Sequence, residues 1–295
     1  MAQMHDLRRR IASVKTTGHI AQGMKLVSTA KLKTSQDRVF ASRPFARKIA
    51  QVMDDLSVIS AQMHPYFGRR QLKRQGLLLF TADRGLCGNF NDQLVRLTLD
   101  YLQAAEAPVD VVAVGAEGIR ELRKAGIEPV SAFLDYTGHP TFAKARFLAQ
   151  LVTESYTEDR WQRVDLVFSK FHTVLNQKPR KFRLLPIARE DSNRQRKSAG
   201  EFIYEPNPAV ILDHLAQRYV ETEVYRALLE TQAGEHGARV TAMEAASNNA
   251  KELTEKLTRQ YNSARQSAIT TELAEIVGGA AGLASGEDRK GVKQG

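Results

Sequence analysis

Residues 247–283 read SNNAKELTEKLTRQYNSARQSAITTELAEIVGGAAGL, a run with no proline. Ala250, Leu253, Leu257 and Ala264 fall mostly three, four or seven positions apart, and Ile269, Leu273 and Ile276 continue the stripe, the spacing of one face of an α-helix. The same stripe can be traced back through Met243 and Ala246 to Leu228, Val224, Tyr219, Leu215 and Ile211. Pro206 and Pro208 stand where a helix start tolerates proline. A helix over 209–283 would span roughly 110 Å at 1.5 Å per residue, several times the diameter of a domain of this size. It cannot be packed inside one. Its narrow apolar stripe calls for another helix beside it.

The partner is at the other end of the chain. All nine prolines lie between Pro44 and Pro208, so residues 1–43 are as free of helix breakers as the C-terminal flank. Met4, Leu7, Ile11 and Val14 recur at helical spacing, followed after a slip by Ile20, Met24 and Val27. Phe45, Ile49, Val52 and Leu56 carry the pattern past Pro44, which is expected to kink or interrupt the helix. Two helices far apart in sequence are therefore predicted to pair as an antiparallel coiled coil. The middle of the chain has another rhythm. Apolar, β-rich runs at 77–82, 109–114, 127–134, 164–171 and 182–187 alternate with helical patterns near 91–104, 116–125 and 141–155. Strands alternating with helices imply a parallel sheet covered by helices. The fold class predicted is an α/β, Rossmann-like domain inserted between the halves of a long coiled coil. Its boundaries are 1–60 and 209–284 for the helices and 75–190 for the inserted domain, with a polar tail over 285–295 expected to be disordered. Residues 189–200, REDSNRQRKSAG, have the composition of an exposed, mobile loop.

Composition narrows the function. A single cysteine excludes a disulfide framework. No apolar run approaches the ~20 residues of a membrane span, and MAQMHDLRRR has no signal-peptide core. The net charge of +10 is unevenly spread. Residues 1–50 hold eleven Lys or Arg against Asp6 and Asp37, residues 178–197 eight against two, and residues 209–295 ten against twelve. A basic N-terminal helix suits an acidic partner: nucleic acid, anionic lipid or acidic protein loops.

The one stretch with the look of a catalytic turn is TADRGLCGNFN, residues 81–91, where an apolar strand runs into glycines and then a helix. A phosphate-cradling loop would need a lysine followed by Ser or Thr; Asn89 and Phe90 stand there instead. A nucleophile elbow would need its second glycine two places after the nucleophile, and Gly88 directly follows Cys87. His172 could in principle activate Cys87, but no orienting third group is evident, and a lone cysteine at a strand end is usually packing. The seven histidines show no metal-ligand spacing. Paired acids such as Glu221 and Glu223, or Glu252 and Glu255, read as a solvated helix face. No catalytic site, cofactor or metal is predicted.

The quoted C-terminal run resembles the last helix of the gamma subunit of F-type ATP synthases. DLRRRIASVKTTGHIAQGMKLVSTAKLKTSQDRVFASRPFA, residues 6–46, is similar to that family's first helix, TADRGLCGNFN to its signature loop, and EFIYEPNPAVILDHLAQRYVETEVYRALLE to its entry into the C-terminal helix. The resemblance covers residues 1–283 in order. It implies a central-stalk rotor without catalytic residues of its own. The expected partners are the alpha and beta subunit hexamer, the epsilon subunit and the membrane c-subunit ring. Membrane association would be indirect, on the cytoplasmic side of a bacterial inner membrane, with proton flow coupled to ATP synthesis or hydrolysis on beta. By position in matched motifs it implies contacts with beta at Met24, Lys25, Arg265, Gln266 and Thr270, with coiled-coil core as the competing role for Met24. An apolar bearing tip is implied at Ile276, Val277 and Leu283. Arg84, Gly85, Cys87 and Gly88 would shape the face of the inserted domain where rotor parts meet. A basic coiled-coil nucleic-acid binder is the alternative, weakened by the absence of aromatic interleaving. A small α/β enzyme with helical appendages is a second.

The chain departs from the family pattern at Gly18 and Gly23, at Gln22 where a basic residue is usual, and at Gly234 and Gly237. Each glycine in a helix interior costs about 1 kcal/mol relative to alanine. The expectation is that these glycines let the two helices approach closely while softening the shaft.

Overall fold

The computed structural model describes residues 2–60, 64–68, 70–187 and 208–288. The 189–200 segment and the tail beyond 288 lie outside the described residues. Among the described residues ten elements follow in order: α1 (Ala2–Ser60), β1 (Gln75–Phe80), α2 (Phe90–Gln103), β2 (Val109–Val114), α3 (Ala116–Lys124), β3 (Ser131–Phe133), α4 (Phe142–Thr157), β4 (Arg163–Thr173), β5 (Asn176–Leu185) and α5 (Pro208–Asp288). α1 passes through Pro44 as one helix. α5 opens on proline, whose fixed φ suits a first turn, and runs past the 284 boundary. The chain divides into two compact units, residues 25–242 and residues 1–24 with those from 243 onward.

In the larger unit the sheet order is β3-β2-β1-β4-β5. β1 pairs in parallel with β2 and β4, and β2 with β3. β1 is LLLF-rich and buried along its whole length, as a central strand covered on both faces must be. Alternate side chains separate two cores. On one face Leu78, Phe80, Val112, Leu166 and Phe168 pack with Leu148 and Val152 of α4, Ile49 and Met53 of α1, and Leu212 to Leu228 of α5. On the other, Leu77, Leu79, Val111 and Val167 pack with Phe90 and Leu94 of α2 and Ile119 and Leu122 of α3.

The sheet corrects the expectation of purely parallel pairing. β5 runs antiparallel to β4 and begins at Asn176, not near 182. Thr173 faces Asn176 across a two-residue turn, and so short a connection can only reverse the chain. The first half of β5, NQKPRK, carries no apolar run because it is an edge: polar, partly exposed and interrupted by Pro179. An edge strand tolerates the missing N–H. β3 is shorter than the 127–134 run suggested, three residues from Ser131 to Phe133.

The two long helices pair antiparallel in this unit. Leu32 and Val39 of α1 join Leu229, Ala233 and Val240 of α5, together with Phe171, in one cluster, while Ile49 and Met53 meet the α5 segment nearer its start. A simple two-helix seam does not describe it, because the sheet covers the other side of α5. Between Tyr219 and Val240 almost every α5 side chain is buried. In the smaller unit the first helix packs on α5 with Gly18 against Ala250, and Ala21, Ala250 and Leu257 are buried.

Of the close helix approach expected at these four glycines, the structure shows it at one. At Gly18 an added Cβ would lie 3.1 Å from the Ala250 Cβ, a close helix–helix approach. Gly23 faces open space. Gly234 and Gly237 meet the inserted domain and not α1: a Cβ at Gly234 would lie 2.8 Å from Ser169 Oγ and 2.9 Å from the Phe90 ring, and at Gly237 2.9 Å from Gln177 Nε2.

Candidate functional site

The 81–91 loop leaves β1 and is fixed from within before it meets α5. Thr81 Oγ accepts the Gly118 N–H at 2.9 Å, and Asn91 Oδ1 accepts the Ala82 N–H at 3.0 Å. Asp83 gathers four donors: the N–H groups of Ala116 at 3.3 Å, Asp135 at 3.1 Å and Gly138 at 3.0 Å, and the Thr137 hydroxyl at 2.9 Å. One carboxylate thus ties the loop to the start of α3 and to the turn after β3. Leu86 and Gly88 both take φ of 61°, the left-handed region, and the chain doubles back tightly between them.

Of the residues named from sequence, Cys87 is buried, receives an N–H from Asn91 at 3.3 Å and points back toward the Arg84 carbonyl. Burial pushes its thiol up to about 11, against the pull of Arg239. Such a thiol is packing material; a nucleophile needs a depressed value. Arg84 projects outward, as does Leu86 at 63% exposure. An added Cβ at Gly85 would lie 3.6 Å from Glu117 of α3, and one at Gly88 3.8 Å from Ala242 of α5.

The partner of this loop on α5 is Arg239. Its Nη2 donates to the carbonyls of Arg84 at 3.0 Å and Gly85 at 3.1 Å, and its Nη1 pairs with Glu235 at 2.7 Å. Both side chains are under a tenth exposed. Burial raises the Glu235 carboxyl against the opposing charge of Arg239, and its Oε2 has no hydrogen-bond partner among the described residues. His236 beside it is driven down to about 4 by desolvation first, then by Arg239, Lys31 and His139. It is therefore neutral at physiological pH. One turn back, Gln232 donates to the Gly138 carbonyl at 2.8 Å and shares the Ser35 hydroxyl of α1 at 3.1 Å.

A second junction binds three elements. Glu230 of α5 pairs with Arg43 of α1 at 3.0 Å and accepts the Phe171 N–H of β4 at 2.8 Å, while Arg43 donates to the Phe171 carbonyl at 2.7 Å. Charge-assisted bonds of this kind, each group answering another, hold geometry better than apolar contact alone. The sequence does not announce these anchors, and Glu221 and Glu223, expected on a solvated face, are both buried, at 5% and 4% exposure. The available signal was the stretch 220–240 itself. Its acids and arginines leave no continuous polar face, so some must be buried and paired.

The shaft residues are not brought together. Met24 and Lys25 are half-buried on α1, whereas Arg265, Gln266 and Thr270 are exposed on α5. The half-buried state of Met24 is compatible with a seam position. With Gly18 facing Ala250 in an antiparallel pair, Met24 and Arg265 lie on opposite sides of that contact, about 30 Å apart along the axis at 1.5 Å per residue. Ile276 and Val277 are exposed at 63% and 67%; Leu283 lies in the last turns of α5, its side chain outside the described ones. Among the described residues, no helix is long and apolar enough to cross a membrane.

Solved structures with this fold come from ATP synthases. The rotor of the Euglena gracilis mitochondrial ATP synthase superposes with a TM-score of 0.67 at 20% identity, over 91% of this chain and 99% of that one. The central stalk with c-ring of Tetrahymena thermophila mitochondrial ATP synthase gives 0.62 at 24% identity, over 77% and 99%. In sequence, the ATP synthase family model matches residues 3–283. The ATP synthase gamma chain of Moorella thermoacetica is 44% identical over 96% of this chain and 100% of its own, and that of Desulfitobacterium hafniense is 40% identical over the same shares. The chain belongs to the ATP synthase gamma-chain family.

Proposed function

We infer that this chain is the central-stalk rotor of an F-type ATP synthase, carrying rotation between a membrane ring of c subunits and the catalytic sites of the beta subunits. One observation carries the reading. From Ile269 to Val277 every side chain of α5 is exposed, including Ile269, Leu273, Ile276 and Val277 at 48% to 67%. A helix end that is apolar yet uncovered needs a surrounding apolar wall. A sleeve formed by the alpha and beta hexamer supplies one, and apolar contact there lets the tip turn without breaking directional bonds. The basic first helix suits acidic loops of beta. Met24, Lys25, Arg265, Gln266 and Thr270 are the proposed contacts, and Ile276, Val277 and Leu283 the bearing. Arg84 and Leu86, held outward by a docked loop, would meet the epsilon subunit. The chain itself supplies no catalytic residue in this reading; ATP chemistry belongs to beta. Its place is the cytoplasmic side of a bacterial inner membrane, reached through the ring.

The test is reconstitution with cognate alpha and beta subunits, followed by ATPase assay and a bead-rotation record. A ring with one copy of this chain that hydrolyses ATP and turns the bead is the expected result. Failure to assemble, or hydrolysis with a stationary bead, would refute the rotor assignment.

A further inference from the structure

The strongest feature left over is a cleft of about 460 Å³ in the larger unit, between α1, the β4–β5 hairpin and α5. Six cationic side chains line it: Arg43, Arg47, Lys170, Arg180, Arg183 and Arg226. Among the described residues two carboxylates face them, Glu223 and Glu230, and both are already committed. Glu230 is taken by Arg43 and the Phe171 N–H, and Glu223 by Arg226. Arg183 reaches out to Asp165 at 3.4 Å. Among the described residues this leaves Arg47, Lys170 and Arg180 with no ion-pair partner.

Cations on the hairpin and on α5 are held in place by strand register and by aromatic rings. Phe168 and Arg180 are partners in the β4–β5 register, so Lys170 and Arg180 rise from the same face of neighbouring strands. Arg180 lies 5.7 Å and Arg226 5.4 Å from the centroid of one ring, Phe182, and Arg226 also lies 5.9 Å from that of Phe168. The Phe182 ring thus seats both guanidinium groups, and of the two only Arg226 has a carboxylate partner, Glu223. Lys170 reports the same field. Its ammonium is shifted down, by desolvation first and then by Arg180, Arg226 and Arg43, with Glu230 opposing.

We propose that this cleft is a binding site for a phosphate-bearing anion, gripped by the unpaired charges of Lys170, Arg180 and Arg47 between the first helix and the edge hairpin. Planar guanidinium forks fit phosphate oxygens in bidentate fashion, and the lysine adds a point charge. Since the walls come from α1, β4, β5 and α5, an occupied cleft also cross-links the base of the helix pair to the sheet. The same chemistry could be offered by a soluble di- or triphosphate or by an anionic lipid headgroup.

The test uses the full chain and two probes: pyrophosphate, followed by calorimetry at low ionic strength, and vesicles of phosphatidylcholine with or without phosphatidylglycerol, followed by co-sedimentation. The variant is Lys170→Gln with Arg180→Gln, and Lys181→Gln, which stacks on Tyr101 on the other face, is the control. Saturable one-to-one pyrophosphate binding, weakened at least tenfold in the double variant and less than twofold in the control, identifies a soluble phosphate as ligand. Capture only by phosphatidylglycerol vesicles, lost in the same variant, identifies a headgroup. Circular dichroism melts confirm that the variant is folded. Absence of binding to either probe, or binding equally strong in wild type and double variant, would overturn the proposal.

Discussion

At the scale of single residues, Arg239 is the side chain on which most depends. It is the only described side chain of α5 that donates to the Arg84 and Gly85 carbonyls, and it neutralises a carboxylate buried beside it. Arg239→Met leaves the Glu235 carboxyl buried without its ion-pair partner, so we expect a loss of about 3–5 kcal/mol, read from the urea midpoint of the purified chain. Adding Glu235→Gln should restore part of it, because the two effects are coupled. His236 gives a pH signature. Its folded value of about 4 lies below the ordinary 6.5, so in that window the unfolded chain binds a proton that the folded chain refuses. Stability therefore declines as pH falls from about 6.5 toward about 4, by as much as about 3 kcal/mol. Glu235, whose value is raised, opposes this trend by taking up a proton in the folded state, so the reading is the difference between wild type and His236→Gln. The variant's melting temperature should fall less steeply across that window; identical slopes would remove His236 from the account. Cys87 offers a third check. With its thiol near 11 and its sulfur buried, alkylation of the native chain at pH 8 should be on the order of a hundredfold slower than of the unfolded chain.

At the scale of elements, the helix glycines separate two kinds of site. Gly23 has nothing within contact range, so Gly23→Ala should stabilise the chain by about 0.5–1 kcal/mol through helix propensity alone. Gly234→Ala forces a methyl group onto Ser169 and Phe90 and should destabilise by about 1–3 kcal/mol. Opposite shifts in melting temperature are the expected pattern, and a Gly234→Ala chain as stable as wild type would mean that the sheet yields freely there. The sequence distinguishes these glycines poorly, since periodicity says which positions a helix has and not what lies against them. The elements themselves were readable for a related reason. Proline avoidance marks the long helices, and apolar runs such as LLLF mark buried parallel strands. β5 escaped at its N-terminal half because edge strands carry no such run.

At the scale of the whole molecule, the +9 carried by residues 1–50 makes a kinetic prediction. If that helix enters a sleeve with acidic loops, assembly with alpha and beta subunits should slow by an order of magnitude or more between low and physiological salt, while the finished complex dissociates at a nearly unchanged rate. Stopped-flow fluorescence would measure both, and an assembly rate indifferent to salt would exclude steering by this charge. The architecture followed from the sequence because long helices and an inserted α/β unit each leave a periodic trace. The docking of the glycine loop on α5 did not, because backbone carbonyls form one side of it and have no letter in the alphabet of residues. That last point has a genetic reading. A contact made to carbonyls is blind to the side chain that shares their backbone, so as far as this contact goes the Arg84 side chain can drift while Arg239 cannot. In a saturation library scored for stability of the chain by itself, tolerance at Arg84 and near-invariance at Arg239 would appear with no compensating pairs between them.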